Sequence, residues 1–344
     1  MRVLDSIRSA LPPIYVIHFV THRCNLFCEF CCDGHNRLHR DELSLDEITR
    51  FYRSLRAVQL SITGGEPTLR KDLTDILIAA LAARVHSVSL NSNGLLPARL
   101  EEMVANALAA SDRPRLKVNV SLDGFRDKHD QMRGKPGAFD ATMESYERLV
   151  RLQDRFPGLS LRVNTVVTHD NLDQVAAFRG FVRVRMPRLA DQVFSLHRTP
   201  PGGTVDPEVL RVYQEVTGQH VSERALFPRQ ALLKRLHDRM YENINALAEG
   251  KDSDFRCPAG GGLVEVAASG EVLGCEVLPK EQALLGHLAE QDYDLARILR
   301  GEPARAFRDK IARERCACSF ECAHITAASL QLPGMLLPRR QRAS

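Results

Sequence analysis

Short apolar runs alternate along the first two hundred positions with segments whose apolar side chains recur every three or four residues. The runs are rich in Val, Ile and Leu and predict strands at Tyr15–Val20, Val58–Thr63, Ser87–Asn91, Leu116–Leu122, Ser160–Val167 and Gln192–Leu196, each read as buried on both faces. Between them the helical period predicts Ser44–Leu55, Asp72–Ala83, Pro97–Ala110, Phe139–Arg155 and Asn171–Val182. Ser44 stands three residues before Glu47, a capping box, and Asn171 follows Asp170 at another start. Strand–helix repetition of this kind implies right-handed crossovers and a parallel sheet. Six units are visible, fewer than the eight of a closed barrel.

The pattern breaks at Thr199-Pro200-Pro201-Gly202-Gly203-Thr204, where a boundary is expected. Helical runs follow at Pro207–Val216 and Pro228–Ala248. The second carries Leu232, Leu233, Leu236, Met240, Ile244 and Leu247 on one face, a core stripe. The expected organisation is an α/β unit over 1–200, a helical linker region over 201–254, a cysteine-rich extension over 255–330 and a basic tail over 331–344. The tail residues Pro338-Arg339-Arg340-Gln341-Arg342 read as a solvated end.

Composition narrows the class. Of 344 residues, 44% are hydrophobic, ample for a core, and no apolar run reaches the ~20 residues needed to span a bilayer. Met1–Ala10 lacks the layout of a secretory signal, so the cytoplasm is the expected compartment, and no membrane partner is expected. The formal charge of +4 carries no nucleic-acid argument. Nine cysteines are more telling, because they cluster: Cys24, Cys28, Cys31 and Cys32 near the start, then Cys257, Cys275, Cys316, Cys318 and Cys322. In a reducing compartment such clusters read as metal sites rather than disulfides.

The first cluster sits in Thr21-His22-Arg23-Cys24-Asn25-Leu26-Phe27-Cys28-Glu29-Phe30-Cys31, directly after the first strand. Three thiolates on one short loop are one fewer than a closed zinc site takes, whereas a four-iron cluster on three cysteines keeps one iron open. A zinc knuckle or scattered core cysteines is the bland alternative. Cys32 should point away from the centre and is read as structural. The spacing C-x3-C-x2-C, with Phe30 before the third cysteine, resembles the radical S-adenosylmethionine (SAM) superfamily. That resemblance implies a partial (β/α)6 TIM-like barrel, a SAM-binding 4Fe-4S cluster on Cys24, Cys28 and Cys31, and SAM as cosubstrate.

Further motifs carry the same resemblance. Thr63-Gly64-Gly65-Glu66-Pro67 ends the second strand and resembles the family's GGEP motif. There Gly64, Gly65, Glu66 and Pro67 would engage the SAM amino group; a plain tight turn is the alternative. Asn91-Ser92-Asn93-Gly94 ends the third strand, with Ser92 where the family often has Thr. Asn93 would shape the SAM pocket or only make an Asn-Gly turn. Ser121-Leu122-Asp123-Gly124, His129-Asp130 and Arg133-Gly134 resemble the pattern of the subfamily with C-terminal iron–sulphur extensions. Ser121 and Arg133 would hold the SAM carboxylate, and Asp123 would meet the ribose or cap the turn; a surface ion pair is the bland role for Arg133. Asn164 and Val166 would line the ribose and adenine side. His129, His169 and His197 could face a substrate or be satisfied loop histidines.

In the last third, Cys257 leads through Leu263–Ala267, a Ser269-Gly270 turn and Glu271–Leu273 to Cys275, so a hairpin brings the two sulphurs toward one another. Its C-x12-G-x4-C pattern resembles the start of a SPASM or twitch extension, which implies an auxiliary 4Fe-4S cluster. Five cysteines suit one cluster, with Cys257, Cys275, Cys318 and Cys322 favoured and Cys316 the spare; a zinc ribbon is the alternative. The resemblance implies an oxidoreductase-type radical enzyme fed by flavodoxin or ferredoxin. Its substrate is expected to be a small polar sugar- or cyclitol-like molecule, and the partial barrel is expected to leave a lateral opening wide enough for a sizeable one. A peptide to be cross-linked or epimerised is the alternative, and a non-catalytic iron–sulphur scaffold or redox sensor a remote one. Because about 14 residues precede the first strand, no fused leader-binding domain is expected.

Overall fold

The computed structural model describes residues 13–31, 41–198, 201, 203–222, 228–251 and 253–331, with the backbone alone for 219–222 and 228–233. Cys32, much of the Thr199–Thr204 breaker, the Leu232 and Leu233 side chains and the tail from 332 lie outside the described residues.

Nine strands form one sheet. The first six are β1 (Tyr15–Phe19), β2 (Arg56–Thr63), β3 (Arg84–Ser92), β4 (Leu116–Ser121), β5 (Leu159–Val167) and β6 (Asp191–Leu196), parallel and paired in chain order. Each connection carries a helix: Leu45–Ser54, Leu73–Ala82, Pro97–Ala109, Ala138–Arg155 and Val175–Arg185. Ser44 closes the expected capping box with Glu47. Arg126–Arg133 adds a short, strongly polar helix, missed because only its motif residues drew notice. Asn171 does not start a long helix. It closes the turn His169–Asn171, and its amide donates to the Asp123 and Val166 carbonyls, both at 2.7 Å.

The strands bury one face in apolar packing, not both. Val16, Leu60, Ile62, Val88, Leu90, Val118, Val120, Leu161 and Val163 pack outward into the main core with the helices. Burying each such side chain stabilises by roughly 1.5–3 kcal/mol. The alternate positions face inward and are largely polar: Ser61, Ser89, Asn91, Lys117, Asn119, Ser121, Arg162 and Asn164. The parallel barrel therefore encloses a hydrophilic lumen.

The cysteine-rich segment extends the same sheet. β7 (Leu263–Val266) pairs parallel with β1, and β8 (Glu271–Leu273) and β9 (Leu284–His287) follow antiparallel. The expected hairpin turns at Gly270, whose positive φ of 93° favours glycine. Helix Glu321–Leu330 packs on helix Pro228–Ala248 and on β7. Its Glu321 accepts a 2.8 Å hydrogen bond from the Leu196 amide at the end of β6, while Phe320, Ala323 and Ala327 pack against Ile17 on the inner face of β1. The side of the barrel expected to be open is spanned by this helix, because an uncovered Ile17 row would leave apolar surface in water.

Candidate functional site

Four loops meet at the carboxyl ends of β1–β4. The loop after β1 carries Cys24, half-buried, Cys28, buried, and Cys31, exposed. It is held from several sides. Thr21 donates to Glu42 (2.6 Å), and the His22 amide donates to the same carboxylate (3.1 Å). Arg70 donates to the Val20 and Leu43 carbonyls and forks onto Asp72. The Gly65 amide donates to the Thr21 carbonyl (2.8 Å) and the Glu66 amide to the Arg23 carbonyl (2.7 Å). The approach is close enough that a Cβ on Gly65 would stand 2.3 Å from the Arg23 oxygen, and one on Gly64 2.4 Å from that of Thr21. The two glycines are needed for packing the cysteine loop itself.

Glu66 ends the second loop and is tied into the backbone. It is 1% exposed, and its carboxylate accepts from the Thr68 amide and hydroxyl, the Ser92 hydroxyl and the Asn93 amide, at 2.7–3.0 Å. Three of these donors meet Oε1 and one meets Oε2, so the carboxylate ties β2 to β3. Burial raises its pKa while these donors oppose the rise. Pro67 is buried at the start of a short turn that Glu66 caps. Asn93 reaches across to the cysteine loop, donating to Asn25 (2.8 Å).

The fourth loop forms a buried polar knot. Asp123 is fully buried and accepts from Arg133 Nε (2.7 Å) and Nη2 (2.6 Å) and from the Val166 amide (2.9 Å). Arg133 in turn donates to Cys28 Sγ (3.7 Å) and lies over the Phe30 ring, 5.1 Å from its centroid. One guanidinium thereby joins the Asp123 turn to the cysteine loop. Burial raises the Cys28 thiol pKa, and Arg133 opposes it. His129 Nδ1 accepts from the Asp123 amide (3.1 Å), and burial pulls this imidazole down to about 4. It is a neutral structural residue; His169 and His197 are exposed. Ser121 and Asn164 are register partners, and with Val166 they are half-buried on the inner face beside this knot.

Residues 19–182 match the family profile described as the Radical SAM superfamily. Over those residues the barrel is similar to radical SAM domains. Among its relatives, mycofactocin maturase MftC of Mycolicibacterium smegmatis is 33% identical over 182 residues, 52% of this chain and 44% of that protein. Sporulation killing factor maturation protein SkfB of Bacillus subtilis is 25% identical over 332 residues, 92% of this chain and 72% of that protein. The chain thus spans less than half of MftC. The crystal structure of Streptococcus suis SuiB bound to precursor peptide SuiA shares the fold, with a TM-score of 0.62 at 17% identity, covering 88% of this chain and 69% of that one. So does anSMEcpe with bound AdoMet, at 0.60 and 14% identity, covering 86% and 82%.

Radical SAM domains work with a 4Fe-4S cluster and SAM. The donor chemistry at this loop fits: three soft thiol ligands on one loop, with a guanidinium aimed at Cys28 to offset thiolate charge. Among the described residues no three His, Cys, Asp or Glu side chains converge on a single-ion site.

The second cysteine group lies around β7 and the start of helix Glu321–Leu330, with Cys257, Cys318 and Cys322 packed against one apolar cluster. The interaction between the Cys257 and Cys316 thiols raises the first and lowers the second. Cys318 lies within electrostatic reach of Cys275 and Cys316, and burial pushes Cys318 up to about 12 and Cys275 to about 11. Cys322 instead sits among Glu276, Arg198, Glu321 and Tyr15, because the first turn of helix Glu321–Leu330 points it toward β1.

No helix among the described residues is long and apolar enough to cross a membrane. Sequence reasoning passed over Asn25, Glu42 and Arg70 and read Asn171 as a helix start. Only Asn171 carried a local signal, as a cap.

Proposed function

We propose that this chain is a radical SAM peptide-modifying enzyme with an auxiliary iron–sulphur cluster. The observation that carries the reading is the near full-length likeness to the maturation protein SkfB, 92% of this chain. The MftC relationship and the fold shared with peptide-bound SuiB agree with it. The alternative of a small polar substrate is favoured by the hydrophilic lumen alone.

Cys24, Cys28 and Cys31 would hold the first cluster, and Cys257, Cys275, Cys316 and Cys318 the auxiliary one. Burial makes thiolates costly in the second group, and a cationic cluster removes that cost. When bound, the first cluster and SAM supply a 5′-deoxyadenosyl radical for hydrogen abstraction, and the auxiliary cluster supplies a one-electron acceptor. The chain's own residues do the rest. Gly64 and Gly65 pin the cysteine loop, Arg133 sets the Cys28 thiolate, and Ser121 and Asn164 present polar groups at the rim for the SAM methionine and ribose. The Glu66 lock keeps β2 and β3 in register beneath them. Helix Glu321–Leu330 shields the lumen from water on the β1–β6 side. Flavodoxin or ferredoxin is the proposed electron source.

The test uses anaerobically reconstituted protein with dithionite, SAM and candidate precursor peptides encoded beside its gene. Wild type should bind about eight irons, four per cubane, form 5′-deoxyadenosine and shift the mass of one peptide. The variant with Cys24, Cys28 and Cys31 all changed to Ala should form none. Cys316→Ala should lose the auxiliary iron, while Cys322→Ala keeps it. Turnover of a cyclitol with no peptide shift would overturn the peptide reading.

A further inference from the structure

Two cations stand on the inner face of the barrel outside any ion pair seen among the described residues. Lys117 on β4 and Arg162 on β5 both lie on inward positions, and Arg162 is the register partner of Asn119, one inward step above Lys117. Among the described residues neither makes an ion pair or a side-chain hydrogen bond; Arg162 Nε is buried with no acceptor. Two acids share that inner face, Asp191 in register with Arg162 and Glu265 in register with Ile17. Asp191 faces His237 Nδ1 at 3.1 Å.

The surrounding amides are aligned around this gap. Asn91 Nδ2 donates to Ser61 (2.9 Å), and Asn119 Nδ2 donates to Asn91 Oδ1 (2.8 Å). That chain fixes the Asn119 amide. The Ser89 hydroxyl, the strand neighbour of Lys117, is buried with no partner. Holding two like charges in a half-closed space is unfavourable unless an anion completes the site. Burial and the neighbouring Arg162 pull the Lys117 amine down to about 8, as expected for a cation short of partners.

We propose that Lys117 and Arg162 form an oxyanion site in the lumen that takes a carboxylate or phosphate of the substrate. A guanidinium offers two donors to two oxygens, an ammonium adds a point charge, and the free Ser89 hydroxyl is a third donor. The site lies one to two inward steps beneath Asn164 and Ser121, at about 3.3 Å per residue roughly 7–13 Å below the strand ends. It would act as a ruler, setting which C–H bond of an anchored substrate reaches the loops at the rim. A peptide would supply the anion from an acidic side chain or its C-terminus. Calling the anion part of the substrate rests on the radical SAM reading; the site itself does not.

The reconstituted holoenzyme is labelled with an amine-directed acetylating reagent at mildly alkaline pH, and Lys117 is followed by peptide mass spectrometry. Millimolar succinate or inorganic phosphate is the probe. We expect one or both to slow labelling of Lys117 several-fold and leave Lys234, paired with Asp238 outside the lumen, unaffected. Protection by succinate alone identifies a carboxylate site, and by phosphate alone a phosphoryl site. Arg162→Gln should abolish protection and Arg162→Lys should retain part of it, each with wild-type circular dichroism. Labelling unchanged by both anions overturns the proposal. 5′-Deoxyadenosine measured in the same samples reports separately on the radical reading, so protection without it keeps the oxyanion site and removes the chemistry above it.

Discussion

Asp123→Asn tests the polar knot directly. Asp123 is 0% exposed and supplies the only carboxylate seen to bond Arg133 among the described residues, through contacts of 2.6 and 2.7 Å; Arg133 is 8% exposed. The substitution keeps an oxygen for the Val166 amide but removes the counter-charge. Breaking one side of a buried ion pair costs about 3–5 kcal/mol, mostly the penalty of the stranded charge. The exposed pair Arg126–Asp140 is the internal control, and Asp140→Asn should cost about 0–1 kcal/mol. Urea unfolding followed by far-ultraviolet circular dichroism measures both. Adding Arg133→Met to Asp123→Asn should recover much of the loss, since the stranded cation is then gone. Equal losses for Asp123→Asn and Asp140→Asn, or no recovery in the double variant, would refute the reasoning.

Gly65→Ala should reduce bound iron while leaving the far-ultraviolet spectrum intact, because its Cβ meets the Arg23 carbonyl in the cysteine loop; full iron by a ferrozine assay would count against that packing. Acid should destabilise the fold through His18 and His129, which burial holds down to about 3 and 4 against the usual 6.5. The unfolded chain takes up these protons as pH falls below about 6.5 and the native one does not until nearer 4, so stability is present above that window and lost within it. A melting temperature unchanged between neutral pH and the lower end of that window would contradict this. Tyr52→Phe removes the hydroxyl 2.8 Å from His18 Nδ1 and should cost about 1–3 kcal/mol by leaving a buried ring nitrogen unpaired, measured in the same urea assay.

The barrel strands were legible because their outward residues form apolar runs long enough to override local noise. What the runs concealed was their own alternation. Leu116-Lys117-Val118-Asn119-Val120-Ser121 has period two, and its polar half marks the lumen as plainly as its apolar half marks the core. The cysteine triplet and the glycine pair could be found by spacing. The Glu66 and Asp123 roles could not, since whether a carboxylate faces a ligand or its own backbone depends on the turn that follows it. Pairing of β7 with β1 joins segments from opposite ends of the chain, and no local pattern encodes such a partnership.

That distant pairing has a consequence during synthesis. β1 emerges from the ribosome early and finds β2 soon after, but its other edge waits for β7. At about 5–20 residues per second, that edge stays unpaired for roughly ten seconds or more. An unprotected strand edge invites pairing with other chains. Translation speed and chaperone supply would therefore govern how much of this protein is recovered, and slow expression at low temperature should favour the native sheet over aggregates.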